Sequence, residues 1–288
     1  MALKVGIQLF SVKNAMAADP IAAIKEVAAA GYKYLEVANS KADTDPGSGF
    51  GMTPDELLGA LEGTGAKIIS GHIRPINDET LPGIIAWHKA VGNTVVGQSL
   101  AFYKDYDDVL KMCEYYNAMG KKLAENGMKF LFHNHYHEFQ KIGDKTIYEI
   151  VIENTDPKYV TFELDTFWAM RGGVDPIEYI KKLNGRLFAI HQKDFSKLAV
   201  LDHNINLLAN DDGTLINTRE AFMAAGQKPT DFCEVGTGIM PIQEILDAAN
   251  EAGAEYVILE QDATQLGEME SIKLSMEAFK KYNGVVFD

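Results

Sequence analysis

The chain has 288 residues, of which 47% are hydrophobic and 24% are charged. These values are typical of a soluble globular enzyme, and they exclude a mainly disordered chain, a collagen-like fibre and a disulfide scaffold. The 27 basic and 41 acidic residues give a net charge of −14, which argues against a general nucleic-acid binder because an acidic surface repels phosphate backbones.

Two cysteines, Cys113 and Cys233, are too few for a metal–thiolate cluster or a disulfide framework, and they predict structural thiols in a reducing compartment. The N-terminus runs directly into a strand-like segment without the features of a signal peptide. The sequence has no run of 18 apolar residues, so no transmembrane helix is predicted. We therefore expect a cytoplasmic protein with no membrane partner.

Short β-rich segments alternate with amphipathic helical segments along the chain, which predicts a parallel sheet covered by helices. The predicted strands are Lys4–Phe10, Tyr34–Val37, Lys67–His72, Thr94–Leu100, Lys129–His133, Tyr159–Asp165, Leu187–His191 and Tyr256–Glu260. The clearest predicted helices are Pro20–Ala30, Pro54–Glu62, Asp107–Asn126, Pro176–Leu183, Pro241–Ala252 and Met269–Lys281. Three of them begin with an Asp-Pro or Thr-Pro pair, the usual cap followed by proline in the first turn.

Eight strands, each followed by a helical segment, predict one α/β domain over residues 1–288, a single (β/α)₈ TIM barrel. An open Rossmann sheet would need a G-x-G-x-x-G segment after its first strand, and residues 10–20 contain no glycine. The longest connection, residues 193–240 between strands seven and eight, exceeds a simple link and predicts a lid over the site.

Ionisable residues stand at the C-terminal ends of predicted strands five to eight. Because side chains alternate along a strand, the apolar positions face the helices and the polar positions face the barrel axis. The inward residues are His133 and His135 on strand five, Glu163 and Asp165 on strand six, His191 and Lys193 on strand seven, and Glu260 on strand eight. Buried ionisable groups are costly unless they are paired or bind a metal. This rim therefore predicts a site for a divalent cation, with Glu163 one layer deeper and paired with a buried base or lysine.

Four further residues are weaker candidates for substrate contacts: Glu36, His72, Glu138 and Trp168. Each also has a structural explanation, since Glu36 and His72 could make loop hydrogen bonds, Glu138 could cap the following turn, and Trp168 could pack the rim. The glycine-containing turn Glu234–Gly238 lacks the Lys-Ser/Thr ending of a P-loop, so it signals phosphate binding only weakly.

Several segments, in this order, resemble the sugar phosphate isomerase/epimerase family of xylose isomerase-like TIM barrels. They are VGIQLFSVK, GYKYLEVA, FHNHYHEF, FELDTFWAMRGGVDPIEYIKKLNGRLFAIHQKD, EVGTGIM and YVILEQD. The resemblance implies a (β/α)₈ barrel with one divalent metal at the strand C-termini, whose usual ligands are Glu, Asp, His and Glu from strands five to eight. Asp165, His191 and Glu260 match the last three ligands, and His133 stands where the first glutamate is expected.

The changed first ligand leaves more than one class of function open. In the ketose epimerases of this family two metal-bound glutamates flank the substrate carbon, and this chain keeps only Glu260. A histidine on strand five also resembles relatives that dehydrate keto-inositols or eliminate from keto-glycosides. We expect first a metal-dependent isomerase or epimerase that enolises a carbohydrate next to a carbonyl. A metal-dependent lyase or dehydratase is the alternative, followed by a non-catalytic sugar-binding relative and a DNA-repair nuclease.

The predicted roles follow from enolisation. A bound divalent cation would polarise a carbonyl oxygen and a neighbouring hydroxyl. Glu260 or His135 would remove the α-proton, and Lys193 would stabilise the oxyanion unless it is a solvated rim lysine. Mn²⁺ is the ion we expect first, with Mg²⁺, Co²⁺ or Zn²⁺ as alternatives. The expected partner is a small-molecule carbohydrate, with no nucleic acid and no membrane, and the resemblance allows a homodimer.

Overall fold

The computed structural model describes residues 2–199, 216–224 and 228–288. Within them, eight parallel strands form the barrel: β1 (Leu3–Gln8), β2 (Tyr34–Asn39), β3 (Lys67–Ile73), β4 (Val95–Gln98), β5 (Lys129–His133), β6 (Val160–Asp165), β7 (Leu187–Gln192) and β8 (Tyr256–Leu259). Each strand pairs with its neighbour in the chain, and β8 pairs with β1 to close the sheet. The predicted (β/α)₈ barrel is confirmed.

Helices cover the outside of the barrel. In the described residues they are α1 (Lys13–Ala18), α2 (Pro20–Ala29), α3 (Pro54–Leu61), α4 (Leu81–Ala90), α5 (Tyr106–Ala124), α6 (Ile147–Asn154), α7 (Thr166–Arg171), α8 (Pro176–Lys182), α9 (Arg219–Ala224), α10 (Ile242–Glu251) and α11 (Glu268–Phe279). The side chains of Asp19, Thr53 and Asp175 cap α2, α3 and α8 as the sequence predicts. None of the described helices combines the length and apolar character needed to cross a membrane.

Two short pairings lie at the C-terminal rim of the barrel. Lys141–Ile142 and Lys145–Thr146 form a hairpin after β5, and Asp194–Phe195 pairs antiparallel with Phe232–Cys233. The second pairing joins the two ends of the long connection between β7 and β8. At the other end of the barrel, the C-terminal Val285–Val286 runs beside β1.

The apolar residues form two clusters, one on each side of the barrel wall. Outward residues such as Phe130 and Phe162 pack in a large cluster with the helices, as strand alternation predicts. A smaller cluster fills the N-terminal half of the barrel interior and contains Tyr34, Ile69, Ala189, Tyr256 and Ile258. Two residues beyond Ala189 and Ile258, the same inward face carries His191 and Glu260. The barrel interior therefore changes from apolar to ionisable along single strands.

Candidate active site

The C-terminal ends of six strands converge on one group of ionisable side chains. Those that are buried are Glu36, His72, His133, Glu163, Asp165, His191, Lys193 and Glu260, and His135 is half-buried beside them. All nine residues are ones that the sequence singled out, and they lie at the same rim, where the active sites of TIM-barrel enzymes are found.

The four predicted metal ligands come together in this group. His133, Asp165, His191 and Glu260 each offer one ligand atom, and these atoms lie within 4.8 Å of one another. His191 Nδ1 is 3.0 Å from Glu260 Oε2 and 3.9 Å from Asp165 Oδ2. Two carboxylates and two imidazoles suit a divalent cation such as Mn²⁺ or Zn²⁺. The residues therefore fit the ion that the sequence predicts, and its binding stays a prediction.

The second ring nitrogen of His191, Nε2, is hydrogen-bonded to a carboxylate that lies deeper in the barrel. His191 Nε2 is 2.8 Å from Glu36 Oε1, and Gln8 Nε2 donates to the same carboxylate oxygen at 2.7 Å. A carboxylate on one imidazole nitrogen fixes the ring and leaves the other nitrogen free to ligate. The structure thus places Glu36, a predicted substrate contact, beneath His191 rather than on the pocket wall.

The charge on His191 depends on its carboxylate neighbours. Burial alone would lower the pKa of His191, but Glu163, Glu260 and Glu36 outweigh burial and raise it well above its usual value. In the absence of a cation, these carboxylates therefore favour the protonated ring. A cation that binds at Nδ1 must displace a proton, so metal affinity falls as the pH decreases.

Glu163 lies one layer deeper, as expected, and contacts three imidazoles. Its Oε2 is 2.7 Å from His72 Nε2, 3.2 Å from His133 Nδ1 and 3.1 Å from His191 Nε2. Burial opposes its ionisation, but His191 and His72 outweigh burial and hold the pKa of Glu163 well below its usual range. Glu163 is therefore an anion that orients the rings above it.

Lys193 is fully buried, which excludes the alternative of a solvated rim lysine. Its ammonium donates to Asp165 and Glu260, and it lies 3.4 Å from Asp262 Oδ2. Burial would lower the pKa of Lys193, but Asp165, Asp262 and Glu260 raise it above its usual value. The lysine therefore carries a positive charge that offsets these acidic groups, and a divalent cation must share Asp165 and Glu260 with it.

His135 differs from His133 in its surroundings. Its ring lies against the rings of Phe222, at 5.3 Å between centroids, and Trp168, at 5.7 Å. Within the described part of the chain, His135 Nδ1 has no hydrogen-bond partner. Burial lowers the pKa of His135 well below its usual value, so the ring is neutral. His133 Nδ1, in contrast, is engaged by Glu163.

Glu138 and Trp168 support the site from behind. Glu138 is buried, and its Oε2 accepts a hydrogen bond from the backbone N–H of His135 at 2.9 Å, so the structure places it as a local cap. Burial raises the pKa of Glu138 to about 8. Trp168 is also buried, its backbone N–H donates to Asp165 Oδ1 at 2.8 Å, and its ring lies 5.5 Å from Lys193 Nζ. Neither side chain lines the pocket above the cluster.

That pocket has a volume of about 220 Å³. Its walls are Phe10, Ala38, Asn39, Ser40, His72, Arg74, Ser99, Leu100, His133, His135, Glu260 and Asp262. Ligand pockets commonly hold about 300–1,000 Å³ for drug-sized molecules, so this one suits a smaller molecule such as a monosaccharide. Of the four predicted substrate contacts, His72 alone is on the wall.

Two charged residues of the wall, Asp262 and Arg74, were missed by sequence reasoning. Each stands two residues beyond an inward residue at a strand end, Glu260 for Asp262 and His72 for Arg74. Extending the period of two past the strand end would have found both. Burial raises the pKa of Asp262 to about 7, and Lys13 Nζ donates to its backbone carbonyl at 2.7 Å.

The glycine-containing turn at the rim binds one of the protein's own carboxylates. The backbone N–H groups of Gly236 and Gly238 both donate to Asp194 Oδ2 at 3.0 Å. A Cβ atom at Gly238 would lie 2.1 Å from the Phe195 carbonyl oxygen, so this close approach requires glycine. Asp194 therefore accounts for the turn that weakly suggested phosphate binding.

Part of the long connection between β7 and β8 lies against the site. Besides contacting His135, the Phe222 ring stacks on Tyr136 at 5.0 Å. Asn217 Nδ2 donates to the carbonyl oxygen of His137 at 3.2 Å. The rest of the predicted lid, residues 200–215 and 225–227, lies outside the described residues, so its closure over the site stays a prediction.

Comparison with known proteins places these features in a family. The family model described as xylose isomerase-like TIM barrel matches residues 24–282. An inosose dehydratase of Mesomycoplasma hyopneumoniae (strain J) is 25% identical over 281 residues, which cover 88% of this chain and 86% of the relative. An inosose dehydratase of Geobacillus thermodenitrificans is 30% identical over 150 residues, 51% of this chain and 45% of the relative, so that match spans less than half of its length.

Solved structures with the same fold span nearly the whole chain. A sugar phosphate isomerase/epimerase from Parabacteroides distasonis has a TM-score of 0.75 at 22% identity, covering 99% of this chain and 96% of that chain. The probable 3-DHS dehydratase AsbF from Bacillus anthracis has a TM-score of 0.67 at 14% identity, with 98% and 100% covered. The IOLI protein with a binding zinc atom has a TM-score of 0.65 at 15% identity, with 96% of each chain covered. These identities show the fold alone, whereas the family model covers most of the chain, which therefore belongs to the xylose isomerase-like TIM barrel family.

Proposed function

We propose that this protein is a metal-dependent lyase that enolises a keto-sugar or keto-cyclitol next to its carbonyl and then expels a β-substituent. The observation that carries this proposal is the pairing of unlike groups on the pocket wall. His135 offers a neutral imidazole on the pocket wall, and Asp262 offers a carboxyl whose pKa is raised to about 7. An elimination needs both a base and an acid, and these two residues supply one of each.

Within the part of the chain that the structure describes, the site lacks the two matched groups that an epimerase needs. An epimerase removes a proton from one face of a carbon and returns it to the other, which calls for two matched groups. The strand-five position holds His133, whose Nδ1 is already engaged by Glu163 Oε2 at 3.2 Å. It is therefore a poor partner for Glu260 in carrying a proton.

The proposed chemistry assigns each proton to a residue. His135 takes the α-proton, and the C–H electron pair forms the enolate, whose oxygen Lys193 stabilises through its positive charge. A divalent cation held by the four ligands would supply further stabilisation of the enediolate oxygens. The enolate electrons then form a C=C bond while the C–O bond at the β-carbon breaks. Asp262 gives its proton to the leaving oxygen, so a hydroxyl substituent leaves as water.

The comparisons support this class of reaction. Two curated relatives, from Mesomycoplasma hyopneumoniae and Geobacillus thermodenitrificans, are named inosose dehydratases, and the dehydration of a keto-cyclitol fits the chemistry above. The isomerase or epimerase expected first from the sequence is the second candidate. It is favoured by Glu260, the one carboxylate retained from the family's pair, which faces the pocket together with His135.

Proton NMR in D₂O tests the proposal on the Mn²⁺-loaded enzyme with keto-inositols, 3-keto-glycosides and ketoses, after the enzyme has been removed by filtration. Release of the β-substituent supports the lyase. Deuterium at the α-carbon without release supports the isomerase and overturns the lyase. Asp262→Asn should slow release about a hundredfold while α-deuterium exchange continues, because the base is intact and the acid is lost. Asp156→Asn, at an exposed aspartate between α6 and β6 and therefore at the end of the barrel opposite the site, is the matched control.

A further inference from the structure

Arg74 is a wall residue of the pocket to which the proposed chemistry gives no role. It follows β3 two residues after His72 and is half-buried. Its backbone N–H donates to the carbonyl oxygen of Asn39 at 2.8 Å, and its carbonyl accepts from the N–H of Ala42 at 3.0 Å. The main chain that carries the guanidinium is therefore fixed at the rim.

The guanidinium of Arg74 has no anionic partner within the described ranges. No carboxylate there forms an ion pair with it, and its side chain makes no hydrogen bond to a described residue. The two other half-buried or buried arginines differ. Arg171 lies 3.1 Å from Asp231 in an ion pair, and Arg186 donates to Ile152 and Thr155.

A second positive charge lies near Arg74. Burial and the guanidinium of Arg219 together lower the pKa of Arg74. Arg219 begins α9, and Phe222 of the same helix packs on His135. Two cations near each other, one of them half-buried, are unfavourable unless an anion neutralises them. The charges therefore favour an anionic ligand at this wall.

We propose that Arg74 binds an anionic substituent of the substrate, a carboxylate or a phosphate, so that the substrate is an acidic carbohydrate. The planar guanidinium can donate two parallel hydrogen bonds to either group. The selection is local, because a net charge of −14 repels anions elsewhere on the molecule. This inference uses the proposed function only in taking the pocket as the substrate site.

Calorimetric titration of the Mg²⁺-loaded protein tests the inference without any turnover. The probes are inorganic phosphate, glucuronate and, as the neutral comparison, glucose. Arg74→Gln should weaken binding of the preferred anion about tenfold or more, and Arg74→Lys should restore part of it because the charge returns without the fork. Arg219→Gln should cause a smaller loss, and the exposed Lys104→Gln is the matched control. Tighter binding of phosphate than of glucuronate would indicate a phosphate substituent, and the opposite order would indicate a carboxylate.

Two results would overturn the inference. One is that the wild type binds neither anion below about 10 mM. The other is that Arg74→Gln binds both anions as tightly as the wild type. This result would indicate that the anions bind to the metal ion rather than to Arg74. Asp165→Asn separates this inference from the proposed function, because it should abolish turnover while leaving the Arg74-dependent binding within about threefold of the wild type. Anion binding without any elimination would overturn the lyase and leave the inference standing.

Discussion

The same strands build both ends of the barrel, but the interior is apolar at the N-terminal end and ionisable at the C-terminal end. At the N-terminal end, Tyr34, Ile69 and Tyr256 fill the space, and the Lys4 ammonium lies 5.1 Å from the Tyr256 ring at the surface. At the C-terminal end the inward positions are ionisable and buried. Apolar burial contributes stability, whereas burial of charge costs stability unless every group is paired. The comparison indicates that one end stabilises the fold and the other holds reactive groups in place.

Removing a charge from the C-terminal end should have the largest effect. In Asp165→Asn the amide oxygen can still accept from the backbone N–H of Trp168, but the negative charge beside Lys193 is lost. We expect metal affinity to fall about a hundredfold and turnover about a thousandfold or more. Metal content by mass spectrometry and turnover at saturating Mn²⁺ check this. Intact metal binding in both Asp165→Asn and Glu260→Gln would contradict the ligand set.

The two histidines of strand five should separate binding from chemistry. His133→Ala should lose metal, because its ring is within the donor set. His135→Ala should retain metal and lose about a hundredfold in turnover, because its ring on the pocket wall is the proposed base. The measurements are metal content and turnover of each purified variant. Equal losses of metal in both variants would show that the roles are not divided in this way.

A cavity at the N-terminal end should affect stability and leave the chemistry unchanged. Tyr256→Ala removes a ring that lies 5.3 Å from Tyr34 and 5.2 Å from Phe188. We expect the free energy of unfolding in urea to fall by about 2–4 kcal/mol while metal affinity is unchanged. Tyr256→Phe keeps the ring and should lose much less. A loss of metal affinity in folded Tyr256→Ala would break the division between the two ends.

The smallest expected effect is a pH dependence at the C-terminal end. The folded-state pKa of Glu138 is about 8, above its usual value, so the folded chain holds a proton that the unfolded chain releases above about pH 4.5. Its contribution to stability is therefore present at low pH and is lost as the pH rises towards 8. Glu138→Gln should remove about 1–3 kcal/mol of this decline between pH 5 and pH 9. Urea unfolding at both pH values checks it, and parallel curves for wild type and variant would contradict it.

The fold was predictable because its signals are local. Alternation of apolar residues found every barrel strand to within about two residues, and a capping residue followed by proline marked the start of three helices. The error at β1 has a physical reason. The strand ends at Gln8 rather than Phe10, because Leu9–Val12 forms a 3₁₀ turn in which Gln8 Oε1 accepts from the Phe10 N–H.

The sequence predicted which residues form the site, but not how deeply each of them lies in the barrel. A period of two tells which side chains face the barrel axis, but depth depends on how the strands are staggered. Glu36 therefore could be placed at the rim, while its position beneath His191 could not. The same holds for Lys193, whose full burial follows from three acidic neighbours that the chain brings together from β6 and β8.

The pocket wall is divided along the chain, with a consequence for exchange between relatives. Eight of its twelve residues precede β5, from Phe10 to Leu100, and the four from His133 onward include two of the donor set. All four donors come from β5–β8. The first half of the barrel therefore forms most of the surface that contacts the substrate, whereas the second half supplies the metal ligands. A chimera that keeps β5–β8 and takes β1–β4 from another member of the family keeps the metal ligands and acquires a different recognition surface.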